Sequence, residues 1–384
     1  MEIKKDRIVF VNQSVGYLMI DIINAFAKSG YYTQIALIAG NIKGIERLDK
    51  KVNVSRMKHY KRNTLSRRKL SWIVGTVQSL IIILWKYRRF HLFLVSNPPT
   101  ISFITMLCRN RYSALIYDVY PEGLVWGGFI SGNSMINKVW SKFNNRFYRK
   151  AQHVFTVTDG MAIGIKAYSP SINVTVIPIW HDELKGVPED KKSNQFITLH
   201  GLYDKFIVMY SGNMGKGHDI EKLVFVANDL KDEKDIVFIF IGEGWKKTII
   251  QDLIRNLELT NCMVLPYQTE EMFPHSLSAA DVNVVSAPVG TNHICVPSKA
   301  YNLISLGIPM LGISEKNTEL CQLIEKNEIG ACFSREETKE IALFILSLKN
   351  NRDKMMRYKK NSVYVSARYS SANAYMFVNT LNSN

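Results

Sequence analysis

Short, continuous runs of apolar residues alternate along this chain of 384 residues with stretches whose apolar positions recur every three or four residues. Such runs are typical of strands buried on both faces, and the longer stretches of amphipathic helices. In the first half this pattern predicts strands at 7–11, 32–38, 92–96, 114–118, 154–157 and 174–177, and helices at 16–27 and 72–87. Strands that alternate with helices in this way indicate a parallel sheet.

The second half repeats the alternation more clearly. It predicts strands at 206–210, 236–241, 282–285 and 310–313, a weaker one at 330–333, and a helix at 220–230. We therefore expect an α/β fold with two doubly wound, Rossmann-like parallel-sheet domains that face a cleft. The predicted boundaries are 1–180 for the N-terminal domain, 181–205 for a polar linker, 206–360 for the C-terminal domain, and 361–384 for a tail whose helix packs back on the N-terminal domain.

The net positive charge of the chain lies entirely in its first half. Residues 1–180 hold 26 Lys and Arg against 8 Asp and Glu, whereas residues 181–384 hold 23 against 25. Such asymmetry favours a nucleic acid or an anionic membrane as a partner. No recognition motif for nucleic acid accompanies the charge, so we expect no nucleic-acid partner.

Cysteine usage and the N-terminus bear on the compartment. The five cysteines include no C-x-x-C pair, so we expect neither a zinc ribbon nor a disulfide framework, but reduced thiols in a cytosol. No secretory signal opens the chain, since an apolar segment with a small-residue cleavage site is absent there. The predicted location is therefore cytoplasmic.

The turns that follow predicted strands carry the candidate chemistry, because open α/β sheets bind ligands beyond the carboxyl ends of their strands. The turn at 12–16 ends in Gly16, ahead of a helix. The turn at 211–218 has the sequence Ser-Gly-Asn-Met-Gly-Lys-Gly-His, which is not the spacing of a P-loop. Its glycines permit close approach of the backbone to a phosphate, and Lys216 supplies a mobile positive charge.

A third turn, Val-Pro-Ser-Lys at 296–299, precedes a predicted helix that runs to about Leu306 and stops at Gly307. Ser298 is a suitable N-cap. Lys299 then lies in the first helical turn, where a cation is disfavoured by about 0.3–1 kcal/mol unless an anion lies nearby. The Ser298 hydroxyl, the N–H groups at the start of the helix and the Lys299 ammonium group can together bind a diphosphate.

Other strand ends provide further candidates. Gly242 and Glu243 follow a strand, and Tyr267 can stack on a flat base. Asp118 and Glu122 lie at the end of a predicted strand, where they can act as a base or bind a sugar hydroxyl. We find no D-x-D and no His/Cys cluster with metal-ligand spacing, so neither a metal nor another cofactor is expected.

With these residues in view, the chain resembles glycosyltransferases of the GT-B fold, and its C-terminal half resembles glycosyltransferase family 4. The similarity is carried by Tyr-Ser-Gly-Asn-Met-Gly-Lys at 210–216, Ile-Gly-Glu-Gly at 241–244 and the segment 296–309. In the first half, 95–99 and 176–178 are similar to members that build bacterial surface polysaccharides. The likeness covers nearly the whole chain but is specific only in the second half.

The resemblance implies transfer of a sugar from a UDP- or GDP-linked donor, with retention of configuration and without a metal. It implies that Lys216 and Lys299 neutralise the diphosphate. Two glutamates of many family members correspond here to Ile294 and Asn302. The candidate catalytic residues are Asp118, Glu122, Lys216 and Lys299. The candidate donor-binding residues are Gly16, Ser211, Gly212, Asn213, Gly242, Glu243, Tyr267, Pro297, Ser298 and Asn302.

The basic first half indicates where the acceptor lies. Seven basic residues between 56 and 69 precede the apolar stretch 72–84, which is shorter than the roughly 20 residues that span a bilayer. A basic segment next to such a helix favours the membrane interface, although a core helix of the domain fits the same pattern. We expect a peripheral protein at the inner face of the membrane, with a polyprenyl-linked or other glycan acceptor.

Two alternatives to a transferase stay open at this point. A nucleotide-sugar epimerase on the same scaffold requires catalytic carboxylates near the donor and no acceptor. A protein without enzymatic activity can use the basic half to bind a membrane or a nucleic acid.

Overall fold

The predicted strands form two parallel sheets, one in each of two compact units. The computed structural model describes residues 6–60, 65–181, 190–294 and 297–383. The first unit comprises Met1–Ile179, Asn292–Cys295 and Ser371–Asn384, and the second comprises Trp180–Thr291 and Val296–Ser370. The expected α/β class with two Rossmann-like domains is confirmed.

The sheet of the first unit has seven strands in the order β5-β3-β1-β6-β7-β8-β9. The chain reverses direction across the sheet between β1 and β6, so their carboxyl ends form its switch point. Its strands are β1 (Asp6–Val11), β2 (Ser14–Val15), β3 (Tyr32–Ala39), β4 (Asn41–Ile42), β5 (Val52–Arg56), β6 (His91–Val95), β7 (Tyr112–Ile116), β8 (Val154–Thr156) and β9 (Val174–Val176), with β2 and β4 paired separately. Its helices are α1 (Tyr17–Lys28), α2 (Leu65–Lys86), α3 (Glu122–Trp126), α4 (Met135–Lys150) and α5 (Asp159–Lys166), with 3₁₀ helices at Ile45–Arg47 and Pro99–Met106.

The sheet of the second unit has six strands in the order β12-β11-β10-β13-β14-β15. Its switch point lies between β10 and β13. The elements are α6 (Gln195–His200), β10 (Phe206–Ser211), α7 (Lys222–Asp229), β11 (Ile236–Ile241), α8 (Lys247–Asn256), β12 (Cys262–Leu265), α9 (Met272–Ser278), β13 (Val282–Ser286), α10 (Lys299–Ser305), β14 (Met310–Ile313), α11 (Glu319–Lys326), β15 (Gly330–Phe333), α12 (Thr338–Asn350) and α13 (Arg352–Ser366).

The predicted linker differs from the structure in its second part. Residues 182–189, with Gly186 and Pro188, lie outside the described residues. Asn194 then caps α6, because its side chain accepts hydrogen bonds from the backbone N–H groups of Phe196 and Ile197. Both of these apolar residues are fully buried in the second unit. The stretch from Asn194 onward is therefore part of that unit's core, despite its polar composition.

The end of the chain contributes to the first unit. Helix α14 (Ala374–Asn382) packs against α1, and the ring of Phe377 contacts Phe93 and Phe155 of the sheet. Residues up to Ser370 belong to the second unit, ten residues beyond the predicted boundary of its domain.

The cysteines differ from the prediction. Cys321 of α11 and Cys332 of β15 form a disulfide, with Cα atoms 5.3 Å apart, whereas Cys108 and Cys262 are free. The expectation of reduced thiols was wrong for this pair. The two cysteines are eleven residues apart in sequence, and the packing of α11 on β15 brings them together, so their spacing gave no signal.

Helix α2 begins seven residues earlier than predicted, at Leu65. Within the described residues, one helical segment, Ser66–Lys86, is long and apolar enough to cross a membrane by length and composition, and only 28% of its most apolar window is buried. A core helix of this length would be mostly buried, so the low burial disfavours that alternative for α2.

Candidate active site

The second unit contains a cavity of about 150 Å³ at the switch point of its sheet. It is lined by Ser211 and Gly212 after β10, Ile241 at the end of β11, Asn283 and Val284 of β13, and residues of α9 and α10. Five predicted residues are brought together here, namely Ser211, Gly212, Tyr267, Lys299 and Asn302. The rest of the lining is largely apolar and includes Phe273, Leu277 and Leu303.

Lys299 is the charged residue of this cavity. Its Nζ is buried, has no hydrogen-bond partner among the described residues, and lies 3.9 Å from the centre of the Tyr210 ring. Burial lowers the pKa of Lys299 to about 7, because an apolar environment disfavours the ammonium form. A cation–π contact compensates only part of that cost. The cavity therefore contains a positive charge without an anionic partner.

Gly212 and Gly242 make this arrangement sterically possible. Gly212 has φ +146°, and a Cβ there would lie 2.3 Å from Cε and Nζ of Lys299. Gly242 has φ +141°, and its Cβ would lie 1.9 Å from the carbonyl oxygen of Gly212. Side chains at either position would displace Lys299 or the turn that faces it, which explains why both strands end in glycine.

Besides Gly242, three predicted residues of the glycine-rich turns lie outside the lining of the cavity. Lys216 is exposed, and its Nζ lies 5.7 Å from the centre of the Trp245 ring. Glu243 forms an ion pair of 2.6 Å with Lys247. Asn213 is exposed, and its carbonyl oxygen accepts a hydrogen bond from Tyr210. The expected convergence of two lysines is therefore not found, since only Lys299 enters the cavity.

The turn before α10 has a different local structure from the predicted one. Ser298 occupies the N-cap position, but its side chain makes no capping hydrogen bond and its backbone is helical, with φ −54° and ψ −22°. Pro297 precedes it without lining the cavity. The helix ends as expected, because Gly307 adopts φ +68° directly after it. The role of the turn is thus to position Lys299 and Asn302, one helical turn apart, toward the cavity.

His218 has a structural role at the end of the glycine-rich turn at 211–218. Its Nδ1 lies 3.1 Å from the carbonyl oxygen of Ser286. Burial, together with the nearby charge of Lys299, lowers the pKa of His218 to about 4. The imidazole is therefore neutral at pH 7 and connects the turn to β13.

Sequence reasoning missed most of the apolar lining and two polar residues, Asn283 and Gln268. Asn283 is 1% exposed, lines the cavity and donates a hydrogen bond to the carbonyl oxygen of Leu277 at 3.3 Å. A lone amide within the apolar run Val-Asn-Val-Val was the available signal, since buried polar groups need partners. Gln268, next to Tyr267, also lines the cavity.

In the first unit, Asp118 follows β7 and lines a small pocket of about 20 Å³, room for about one water molecule. Its backbone N–H lies 3.4 Å from Oγ of Ser96, and its carboxylate has no hydrogen bond or ion pair among the described residues. Asp118 is exposed to solvent, yet desolvation by the surrounding protein raises the pKa of its carboxyl group to about 6.

Glu122 and Gly16 have different environments. One carboxylate oxygen of Glu122 accepts a hydrogen bond from the Tyr168 hydroxyl, and the other is buried without a partner in the described part of the chain. Gly16 is the N-cap of α1, and nothing lies within 4 Å of where its Cβ would be. Gly16 thus leaves an open turn at the switch point of the first sheet. Within the described ranges, no group of three or more His, Cys, Asp or Glu has the arrangement of a metal site.

Comparison with known proteins shows which fold this chain has and which sequence family its second unit matches. Residues 194–363 match the family model of glycosyl transferases group 1. The whole chain has the fold of GT-B glycosyltransferases. It superimposes on the Anabaena protein HepE, solved in complex with UDP and glucose, with a TM-score of 0.71 over 99% of this chain and 100% of that one, at 14% identity. The resemblance to GT-B glycosyltransferases is confirmed, and the assignment to family 4 stays a prediction.

Two curated relatives are similar in sequence. The probable glycosyltransferase WbjE of Pseudomonas aeruginosa is 26% identical over 245 residues, which is 61% of this chain and 60% of WbjE. WcaI of Escherichia coli K12, a putative colanic acid biosynthesis glycosyl transferase, is 30% identical over 122 residues, or 32% of this chain and 30% of WcaI. The chain thus matches less than two thirds of the length of either relative.

Proposed function

We propose that this protein is a glycosyltransferase of bacterial cell-surface polysaccharide assembly. It transfers a hexosyl or N-acetylhexosaminyl group, with retention of configuration, from a UDP- or GDP-linked donor to a polyprenyl-linked or other glycan. The group 1 match and the likeness to WbjE and WcaI support the activity and the pathway class. The complex of HepE with UDP supports a nucleotide-linked donor.

The observation that carries the proposal is the unpartnered ammonium group of Lys299 in an apolar cavity. A diphosphate supplies the missing negative charge, and charge-assisted hydrogen bonds are strong where water is excluded. As the bond to the sugar breaks, negative charge develops on the departing diphosphate, and Lys299 stabilises it. This role needs no metal ion, so we propose a metal-independent transfer.

The volume of the cavity limits what it can enclose. Ligand pockets typically measure about 300–1,000 Å³, whereas this one measures about 150 Å³. It therefore encloses only part of the donor: the diphosphate lies against Lys299, and the base stacks on the exposed ring of Tyr267 at the edge of the cavity. Asn302 is placed to hydrogen-bond the ribose. Asp118 is the group we assign to a sugar or acceptor hydroxyl, because its carboxylate is unengaged, whereas Glu122 is held by Tyr168.

The test is binding of nucleotide sugars to the full chain, measured by thermal shift with UDP- and GDP-linked hexoses and N-acetylhexosamines. A ligand at 100 times its Kd should stabilise the protein by about 2.7 kcal/mol. Lys299→Met should lose this shift, whereas the matched control Lys216→Met should keep it. Product analysis with donor alone separates transfer from epimerisation. If no donor stabilises the wild type, or if Lys299→Met keeps the full shift, the proposal is wrong.

For the location we propose the cytoplasmic face of the membrane, with α2 lying in the interface. Its exposed side chains include Leu70, Ile73, Val77, Ile81 and Leu84, which recur at helical spacing on one face. Trp85 is 81% exposed next to them, and the basic residues Arg67, Lys69, Lys86, Arg88 and Arg89 flank the stripe. An apolar face with basic flanks is typical of interfacial helices.

Vesicle sedimentation tests this location. Ile73→Ser/Ile81→Ser should weaken binding to neutral and anionic vesicles by at least about 100-fold, because each of the two buried apolar side chains contributes roughly 1.5–3 kcal/mol. Leu199→Ser/Leu343→Ser is the matched control, since both leucines are 66% exposed elsewhere. Equal binding of both variants would rule out α2 as the contact.

A further inference from the structure

A second surface of the first unit, separate from α2, has the properties of an anion site. A groove of about 700 Å³ lies between α4 and the end of α5. It is lined by Ser141, Lys142, Asn145, Arg146, Arg149, Lys150, Ala167 and Tyr168. Four of these eight residues are basic and none is acidic. We refer to it as the α4 groove.

The four cations of the α4 groove have no charged or hydrogen-bonding partner in the part of the chain that the structure describes. Lys142, Arg146, Arg149 and Lys150 are exposed, and none of them forms an ion pair or a side-chain hydrogen bond within the described residues. Arg146 lies four positions after Lys142, and Arg149 and Lys150 lie three and four positions after Arg146, so the four share one face of the helix. Four like charges over about 12 Å of helix repel one another unless an anion lies between them.

The walls of the groove are fixed, which distinguishes it from a flexible surface patch. The side-chain amide of Asn145 donates a hydrogen bond to the carbonyl oxygen of Tyr168 and so connects α4 to the chain after α5. The hydroxyl of Tyr168 is held by Glu122, so this carboxylate is already engaged as an acceptor. On its inner face α4 is anchored by the buried residues Trp140, Asn144, Phe147 and Tyr148.

The same exposed face of α4 is apolar at its N-terminal end. Met135, Ile136 and Val139 are 74%, 62% and 58% exposed, and Val139 lies one helical turn before Lys142. One helix face therefore presents apolar side chains first and cations next. An apolar patch followed by a row of cations complements an amphiphile that has an apolar chain and a phosphate head. A nucleic acid has phosphates but no counterpart for the exposed apolar end.

We propose that the α4 groove binds the phosphate head of an anionic lipid, whose chain contacts Met135, Ile136 and Val139. The proposal rests on the membrane location proposed above and adds a site to it. Helix α2 provides the apolar anchorage and carries basic residues at both ends, and the α4 groove adds a defined site for lipids that carry phosphate with net negative charge. The membrane-bound protein thus distinguishes anionic from zwitterionic surfaces.

The experiment is sedimentation of the full chain with vesicles of phosphatidylcholine alone or with one quarter phosphatidylglycerol. The test variant is Lys142→Gln/Arg146→Gln. The matched control is Lys231→Gln/Lys339→Gln, which removes the same charge from exposed positions of the second unit. Because each basic residue near an anionic surface contributes about fivefold in affinity, the groove variant, which lacks two of them, should bind anionic vesicles about 30-fold more weakly. Its binding to neutral vesicles should equal that of the wild type.

Three outcomes overturn the proposal. One is an equal loss for the groove variant and the control, which would show that only total charge matters. Another is groove-dependent binding of an RNA oligonucleotide that exceeds binding to anionic vesicles. The third is tight groove-dependent binding of inorganic pyrophosphate without lipid, which would identify a soluble ligand instead. Vesicle binding needs neither donor nor turnover, so its result is independent of whether sugar transfer is found.

Discussion

The two units of this protein place positive charge in opposite ways. The first unit carries many cations on its outer surface, with four of them in the α4 groove. The second has almost no net charge, yet it buries one ammonium group in an apolar cavity. Exposed cations are hydrated and screened, so their effect is collective and sensitive to salt. A desolvated cation interacts strongly with one anion in one place. Net charge therefore indicates the kind of surface a domain approaches, whereas burial indicates where a particular anion binds.

The largest effect should come from removing the buried charge. In Lys299→Met we expect a loss of about 10²–10³-fold in kcat, the range found when one group that stabilises transition-state charge is removed. The thermal midpoint of the free protein should not fall, because the variant replaces an unpartnered buried ammonium with an apolar chain. Steady-state kinetics and thermal denaturation check the two expectations together. A lower midpoint with unchanged kcat would make Lys299 a structural residue only.

A somewhat smaller effect is expected at Asp118 of the first unit. As a proton acceptor, this group is worth roughly 10²-fold or more in rate. Since its pKa is raised to about 6, the carboxylate form predominates above pH 6, and the wild-type rate should rise with pH through that value and then level. Asp118→Asn should be slow, and its rate should not rise with pH near 6. If the rise near pH 6 persists in the variant, another group causes it.

Donor affinity should also respond to pH in the second unit. Free Lys299 has a pKa of about 7, and a diphosphate stabilises its charged form, so binding above pH 7 requires uptake of a proton. Kd should therefore rise by up to about tenfold per pH unit above 7 and change little below it. Titration calorimetry in two buffers of different ionisation enthalpy measures the proton uptake. Lys299→Met should show a flat profile, and a flat wild-type profile would contradict the argument.

The smallest effect is expected at the exposed lysine. Lys216 is fully hydrated next to Trp245, and exposed charge pairs contribute about 0.2–1 kcal/mol. We expect Lys216→Met to change Kd for the donor by less than about fivefold, with kcat unchanged. Measuring the kinetics of Lys216→Met and Lys299→Met side by side compares the loss of a hydrated cation with the loss of a desolvated one. If the two variants lose activity equally, the distinction between them does not hold.

The framework of the fold was predictable because the central strands are continuous apolar runs. The strand at 236–241 and the strand at 310–313 were predicted with their observed bounds. The edge strand β5 (Val52–Arg56) was missed, since Val-Asn-Val-Ser-Arg alternates and lies within a basic segment. Helix α6 was missed because its apolar pair follows a polar stretch. Both elements are stabilised by the residues they pack against, and a local sequence pattern carries no information about those packing partners.

The candidate site was predictable to a similar extent. Glycines at strand ends correctly indicated the turns at Gly212 and Gly242, because both have positive φ angles and close neighbours. The sequence did not distinguish Lys216 from Lys299, since each follows a glycine- or proline-containing turn. Their difference arises from the surrounding walls, to which residues as distant as Tyr267 and Asn283 contribute. Such walls form only when the sheet assembles.

The lowered pKa of Lys299 has a chemical consequence beyond binding. At pH 8 most of its side chain is a free amine, whereas ordinary lysines are protonated and unreactive. A small acylating reagent that fits a cavity of about 150 Å³ should therefore label this nucleophile ahead of the other lysines. A bound donor would protect it, so a single modified peptide would report occupancy of the cavity without any assay of turnover.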